Sequence, residues 1–105
     1  MKNKKRASIL KNELNRIMPV VKEKYKPEKV ILFGSFASGN VSETSDIDLL
    51  ILKKSRKRYL DRIDEFLKIV QPKVSMDVFI LTPQEARRKN PYLAEIFQKG
   101  KVLYE

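Results

Sequence analysis

Three aspartates and a glycine–serine pair are the residues of this chain best suited to chemistry. Asp46 and Asp48 open the apolar run Leu49-Leu50-Ile51-Leu52, and Gly34-Ser35 closes another, Val30-Ile31-Leu32-Phe33. Both runs have the length and content of β-strands. Successive strand side chains point to opposite faces, so Asp46 and Asp48 are expected on one face and Ile47 on the other. Two carboxylates on one face at the mouth of an apolar strand are costly unless a cation lies between them. A divalent metal accounts for them most cheaply. Gly34 lets a ligand come close to the backbone. Ser35 begins a short helix expected over Ser35 to Ser38, whose free N–H groups and hydroxyl suit a phosphate. A phosphate cradle and metal-binding carboxylates at the same end of neighbouring strands would hold a nucleoside triphosphate with its metal ions.

The remaining elements must position these groups. Ile9, Leu10, Leu14, Ile17, Met18 and Val21 recur at helical spacing, which predicts an amphipathic helix over roughly Lys4 to Tyr25, with core packing for its apolar residues. Pro19 is expected to kink or split it. Leu60, Ile63, Phe66, Leu67 and Val70 mark a second amphipathic helix, closed before Pro72. Val74 to Leu81 reads as a third strand holding one charge, Asp77. Alternation sets Ser75, Asp77 and Phe79 opposite Met76, Val78 and Ile80. The bland account of Asp77 is an edge-strand carboxylate facing water; beside an Asp-x-Asp strand, a functional role gains weight. Thr82-Pro83-Gln84-Glu85 is a helix start with Thr as cap and Glu three residues later. Asn90-Pro91 starts a final short helix through Leu93, Ile96 and Phe97, Gly100 ends it, and Val102-Leu103-Tyr104 closes as an edge strand. The order α-β-α-β-α-β-α-α-β fits an α/β (α+β) sandwich, a small mixed sheet with helices mainly on one face. The expected organisation is one domain over residues 1–105.

Composition narrows the chemistry further. With no Cys and no His, thiolate and imidazole ligands, bases and nucleophiles are excluded, leaving carboxylate, Lys or Tyr as a base. No apolar run approaches the ~20 residues of a membrane span. The basic start, Met1 to Arg6, leads into no apolar signal segment, so the cytoplasm is expected. The formal net charge of +10 suggests an anionic partner, while Gly34 to Asp48 holds no Lys or Arg and carries Glu43, Asp46 and Asp48. An acidic island in a basic chain suits metal binding at the site with anion attraction around it. The plainer account of the lysines is a solvated surface of the kind enriched in heat-adapted proteins. The basic connector Lys53 to Arg58 follows the strand bearing the aspartates, which would set it near a triphosphate or polynucleotide; such a run is more often a solvated loop.

Gly34-Ser35, ten intervening residues and Asp46-Ile47-Asp48, with Phe33, Gly39, Ser45 and the apolar tail after Asp48, resemble the signature of the DNA polymerase β-like nucleotidyltransferase superfamily. The nearest likeness is to minimal nucleotidyltransferases, small chains often paired with a HEPN-domain toxin, and it extends over nearly the whole chain. The resemblance implies the polymerase β-like nucleotidyltransferase fold and two Mg²⁺ or Mn²⁺ ions held by Asp46, Asp48 and a third carboxylate, whose place Asp77 fits. By the same resemblance Asp77 is the candidate base, and Gly34 and Ser35 hold the β- and γ-phosphates of ATP. It further implies transfer of AMP to a tyrosine of the HEPN toxin, an antitoxin role in a hetero-oligomer. Two rival expectations are a nucleotidyltransferase acting on an RNA end or a small molecule, and a non-catalytic basic module binding a partner or nucleic acid.

Overall fold

A computed structural model describes residues 3–105 of the chain. The elements are α1 (Lys4–Val20), β1 (Lys29–Phe33), α2 (Gly34–Ser38), β2 (Ile47–Leu52), α3 (Tyr59–Val70), β3 (Met76–Leu81), α4 (Pro83–Ala86), α5 (Pro91–Lys99) and β4 (Lys101–Tyr104). The sheet runs β3-β2-β1-β4; β1 is antiparallel to both β2 and β4, and β2 is parallel to β3. The crossover through α3 supplies the length that a parallel connection needs.

The first helix starts at Asn3, whose side chain accepts from the Arg6 N–H at 2.8 Å. Pro19 neither splits nor stops it. The α-helical turn gives way two residues later to a π-helical turn over Val21–Tyr25, closed by Lys26 in the left-handed region. The wider turn closes through the Lys26 N–H on the Val21 carbonyl at 2.9 Å. Leu10, Ile17, Met18 and Val21 are buried as expected, but Ile9 is 40% exposed, so packing does not explain every apolar residue here.

The two faces of the sheet divide the core. Val30, Leu32, Ile47, Leu49, Ile51 and Ile80 pack under α1 and α3 with Phe66 and Val70. Ile31 and Leu50 face the other way, beneath Ile96 of α5, with Phe33 and Phe79 at their margin. Gly100 lets α5 turn directly onto β1, since a Cβ there would stand 2.5 Å from Ile31 Cγ2 and 2.6 Å from the Ile96 carbonyl oxygen. The third strand is shorter than the sequence suggests, beginning at Met76 rather than Val74. Its alternation agrees with expectation: Met76, Val78 and Ile80 pack into the larger core, and Phe79 lies on the opposite side.

Charged side chains lock the helices in place. Leu60, an expected core residue of α3, is 75% exposed, and Arg62 is buried instead at 6% exposure. Its guanidinium donates to the carbonyls of Lys57 (2.9 Å) and Ile80 (3.2 Å) and to Glu85 Oε1 (2.6 Å). Glu85 also completes the capping box with Thr82, so one carboxylate starts α4 and neutralises Arg62. On the far side Glu13 is buried, accepts from Arg16 at 2.6 Å and takes the backbone N–H of Lys73, fastening α1 to the turn before β3. Among the described residues, no helix is long and apolar enough to cross a membrane.

Arg62→Ala would strip charged partners from Glu85 and two carbonyls at once. It is expected to lower unfolding stability by about 2–3 kcal/mol in denaturant titration. A loss under ~0.5 kcal/mol, the range of an ordinary surface substitution, would show that the buried guanidinium is not a fastening.

Candidate active site

The β1–α2 junction is built around Gly34. Its φ is +80°, a backbone region L side chains rarely adopt, and a Cβ would lie 2.1 Å from Asp48 Oδ2. The carboxyl of Asp48 therefore rests directly against the Gly34 backbone. Antiparallel pairing of β1 and β2 brings this about, because Phe33 is opposite Asp48.

The parallel pairing of β2 and β3 sets Asp77 beside Asp48, as register partners. Burial pushes the Asp48 carboxyl up to about 6; the charge of Asp77, a hydrogen bond with it and the charge of Asp46 add to the shift. Asp77 itself is exposed and stands on the edge strand, so it both faces water and crowds Asp48.

Asp46 sits differently from the expectation. The strand begins at Ile47, whose N–H bonds to the Ser75 carbonyl, so Asp46 precedes the ladder rather than belonging to it. Its nearest cation is Arg6, at 3.9 Å from Oδ1. Among the described residues, no group of three or more carboxylates is gathered closely enough to hold a metal ion; Asp48 and Asp77 form a pair, and Asp46 acts on it through charge. Two crowded carboxyls, one held partly neutral, nevertheless make a hard-oxygen donor set that fits Mg²⁺ or Mn²⁺.

Ser35 lies in the first turn of α2, and its hydroxyl donates to Ser45 Oγ at 2.9 Å. Buried Ser45 also accepts from the Ser42 N–H at 2.8 Å, and its carbonyl takes the Arg6 Nε–H at 2.9 Å. The Asn3 N–H bonds to the Val41 carbonyl at 2.7 Å. The polar loop between α2 and β2 is thus held on both sides, by serines within it and by the start of α1 outside it. Here Ser35 positions the loop, and the first-turn N–H groups are what α2 offers an anion. The role of Arg6 is not legible in the sequence: the lack of any cation between Gly34 and Asp48 calls for a counter-charge from elsewhere without saying which.

The basic connector does not lie near these groups. Asp48 is at the start of β2, and Lys53 leaves at its other end, about 17 Å along the strand at ~3.3 Å per residue. Four of its five cations are engaged there: Lys53 on the Tyr25 carbonyl and 4.0 Å from the centre of that ring, Lys54 with Glu28 (3.7 Å), Lys57 with Glu65 (2.6 Å), Arg58 with Asp61 (3.2 Å). The run is the surface loop of the plainer reading, and following the aspartates in sequence does not bring it near them.

Comparison with known proteins agrees with this geometry. A family model described as polymerase beta, nucleotidyltransferase matches residues 15–105. A protein of Methanocaldococcus jannaschii named "Putative protein adenylyltransferase" is 35% identical over 103 residues, covering 93% of this chain and 97% of its own length. A second of the same name and organism is 30% identical over 107 residues, covering 92% of this chain and 73% of its own. The crystal structure of a "putative nucleotidyltransferase" from Sulfolobus solfataricus aligns with a TM-score of 0.64 over 99% of this chain and 90% of that one. At 22% identity, that likeness is one of fold.

Gly34→Ala tests the seat of Asp48. The left-handed backbone alone costs about 1–2 kcal/mol, and displacement of the carboxyl adds to it. In an Asp48→Ala background the cost should fall to the backbone part, measured by denaturant titration of both single variants and the double. Equal costs in the two backgrounds would mean that Asp48 does not rest on Gly34.

Proposed function

The chain belongs to the polymerase β nucleotidyltransferase family, and from that premise we propose that it transfers AMP from ATP to a hydroxyl of a protein partner, through Gly34, Ser35, Asp46, Asp48 and Asp77. The observation that carries this reading is Asp48, seated on Gly34 and crowded by Asp77. A carboxyl in that state favours a cation beside it, and the glycine backbone gives the phosphates room to approach. Asp48 and Asp77 would hold the divalent ions, and Asp46, which stands outside the pair, would close on them as the third ligand. Bound there, Mg²⁺ or Mn²⁺ supplies positive charge for the triphosphate and lowers the cost of deprotonating the acceptor.

The reaction is an in-line exchange. An acceptor oxygen forms a bond to the α-phosphorus, the bond from that phosphorus to the bridging oxygen breaks, and pyrophosphate departs with its electron pair. The acceptor proton passes to the carboxylate of Asp77, which is exposed at the sheet edge and open to a partner. First-turn N–H groups of α2 hold the phosphates, so catalysis is largely positioning and charge neutralisation. Protein as the acceptor is supported by the names of the relatives; a tyrosine of a HEPN-domain toxin is the acceptor we infer, making this chain an antitoxin.

Intact-mass spectrometry of a HEPN partner, after incubation with this protein, Mg²⁺ and ATP, tests the proposal. The expected result is a gain of one or more AMP units, reduced at least ~100-fold in rate by Asp48→Ala or Asp77→Ala while the fold is retained. An unmodified partner would overturn the choice of acceptor. Undiminished transfer by Asp48→Ala would overturn the site.

A further inference from the structure

A cleft of about 380 Å³ opens between α2 and α5 and shares both Gly34 and Asp48 with the candidate site. It is within the size range of small-ligand pockets, ~300–1,000 Å³. Its walls are largely apolar: Phe33 from β1, Ala37 from α2 and Ile96 from α5. Polar chemistry comes from Ser38 of α2, from Asp48, and from Tyr92, Glu95 and Lys99 of α5; of these, Tyr92 and Glu95 suit a nucleoside.

Tyr92 is the unusual one. It is 54% exposed, although its ring meets the stacked pair Phe33 and Phe79 edge-on, at 6.4 and 6.1 Å between centres and 90° and 87° between planes. The two phenylalanines hold the ring upright without covering it. Asn90 fixes the start of α5 by accepting the N–H groups of Tyr92 and Leu93, at 2.9 and 3.4 Å, so the backbone beneath Tyr92 is anchored as well. A braced, uncovered aromatic ring at the edge of an apolar cleft offers a stacking surface for a planar heterocycle. Glu95 lies one turn further along; its carboxylate, salt-bridged to Lys99 at 3.3 Å, is an acceptor suited to a pair of sugar hydroxyls.

The geometry points to this cleft as the seat of the donor's nucleoside, with Tyr92 stacking on the base and Glu95 taking the ribose hydroxyls. The inference rests on the proposed phosphate and metal site, because Asp48 at the rim of the cleft is what joins base to triphosphate. It adds residues that no strand-and-carboxylate pattern contains. It also makes α5 part of substrate recognition rather than only a cover for Ile31 and Leu50.

Calorimetric titration with ATP and with inorganic tripolyphosphate, each with Mg²⁺, separates the two ideas. The wild type should bind ATP about 10-fold more tightly than tripolyphosphate, the scale of one stacked base. Tyr92→Ala should remove most of that difference and leave tripolyphosphate affinity within about twofold, while Tyr92→Phe should retain it. The wild type should also lose affinity for 2′,3′-dideoxy-ATP, a loss that Glu95→Ala abolishes. Equal affinity of the wild type for ATP and tripolyphosphate would overturn the nucleoside cleft while leaving the phosphate site standing. So would a Tyr92→Ala variant that weakens both ligands alike or neither. If neither ligand binds the wild type, the phosphate site itself is refuted, and the cleft assignment goes with it.

Discussion

Parallel pairing of β2 with β3 is the constraint on which the site depends. It puts Asp48 and Asp77 side by side on the face of the sheet opposite the larger core. Antiparallel pairing of β1 then sets Gly34 under the Asp48 carboxyl, at a distance no other residue type would permit. Two strand pairings and one missing Cβ create a small region where negative charge is crowded and the backbone is bare. Crowding of this kind costs folding free energy, because burial and the charge of Asp77 raise the cost of ionising Asp48. It is recovered when a cation arrives, which makes the pair a site that is costly when empty and favourable when filled.

The rest of the chain can be understood as holding that region still. Serine hydroxyls and Arg6 fix the loop before β2, and Arg6 shares its charge with Asp46. Arg62 and Glu85 tie α3 to the turn after β3, while Glu13 ties α1 to the turn before it. The strand carrying Asp77 is therefore anchored at both ends, although it lies at the edge of the sheet. The basic connector sits apart from this machinery: Lys53, Lys54, Lys57 and Arg58 are engaged with a ring and acidic groups at the far end of β2.

Local features were legible in the sequence because local chemistry sets them. The Thr82–Glu85 capping box, the Asn90-Pro91 helix start and the glycine at a strand end each need only neighbouring residues to be read. The pairing of Asp77 with Asp48 could be guessed from two charged strands, but the register came only with the fold. Arg62 is hard to read as buried because it stands among other charged residues of α3, Asp61, Asp64 and Glu65, and looks solvated. The signal was its place on the stripe Arg62, Phe66, Val70, four residues apart, where Leu60 had been given the core position. Arg6 was out of reach, since its partners lie 39 and 40 positions away. Of the two readings of the connector, the surface loop holds and proximity to the triphosphate does not, because a strand that starts at an aspartate ends far from it.

The central claim is that Asp48 and Asp77 form a cation site whose charge is poorly compensated by the protein alone. Carboxyl carbon-13 NMR of the aspartates, titrated with pH in the absence and presence of Mg²⁺, addresses it directly. Without metal, Asp48 should titrate near 6, and saturating Mg²⁺ should draw it below the ordinary carboxylate value of about 4. An Asp48 that titrates at the ordinary value, or whose titration Mg²⁺ does not move, would contradict the account.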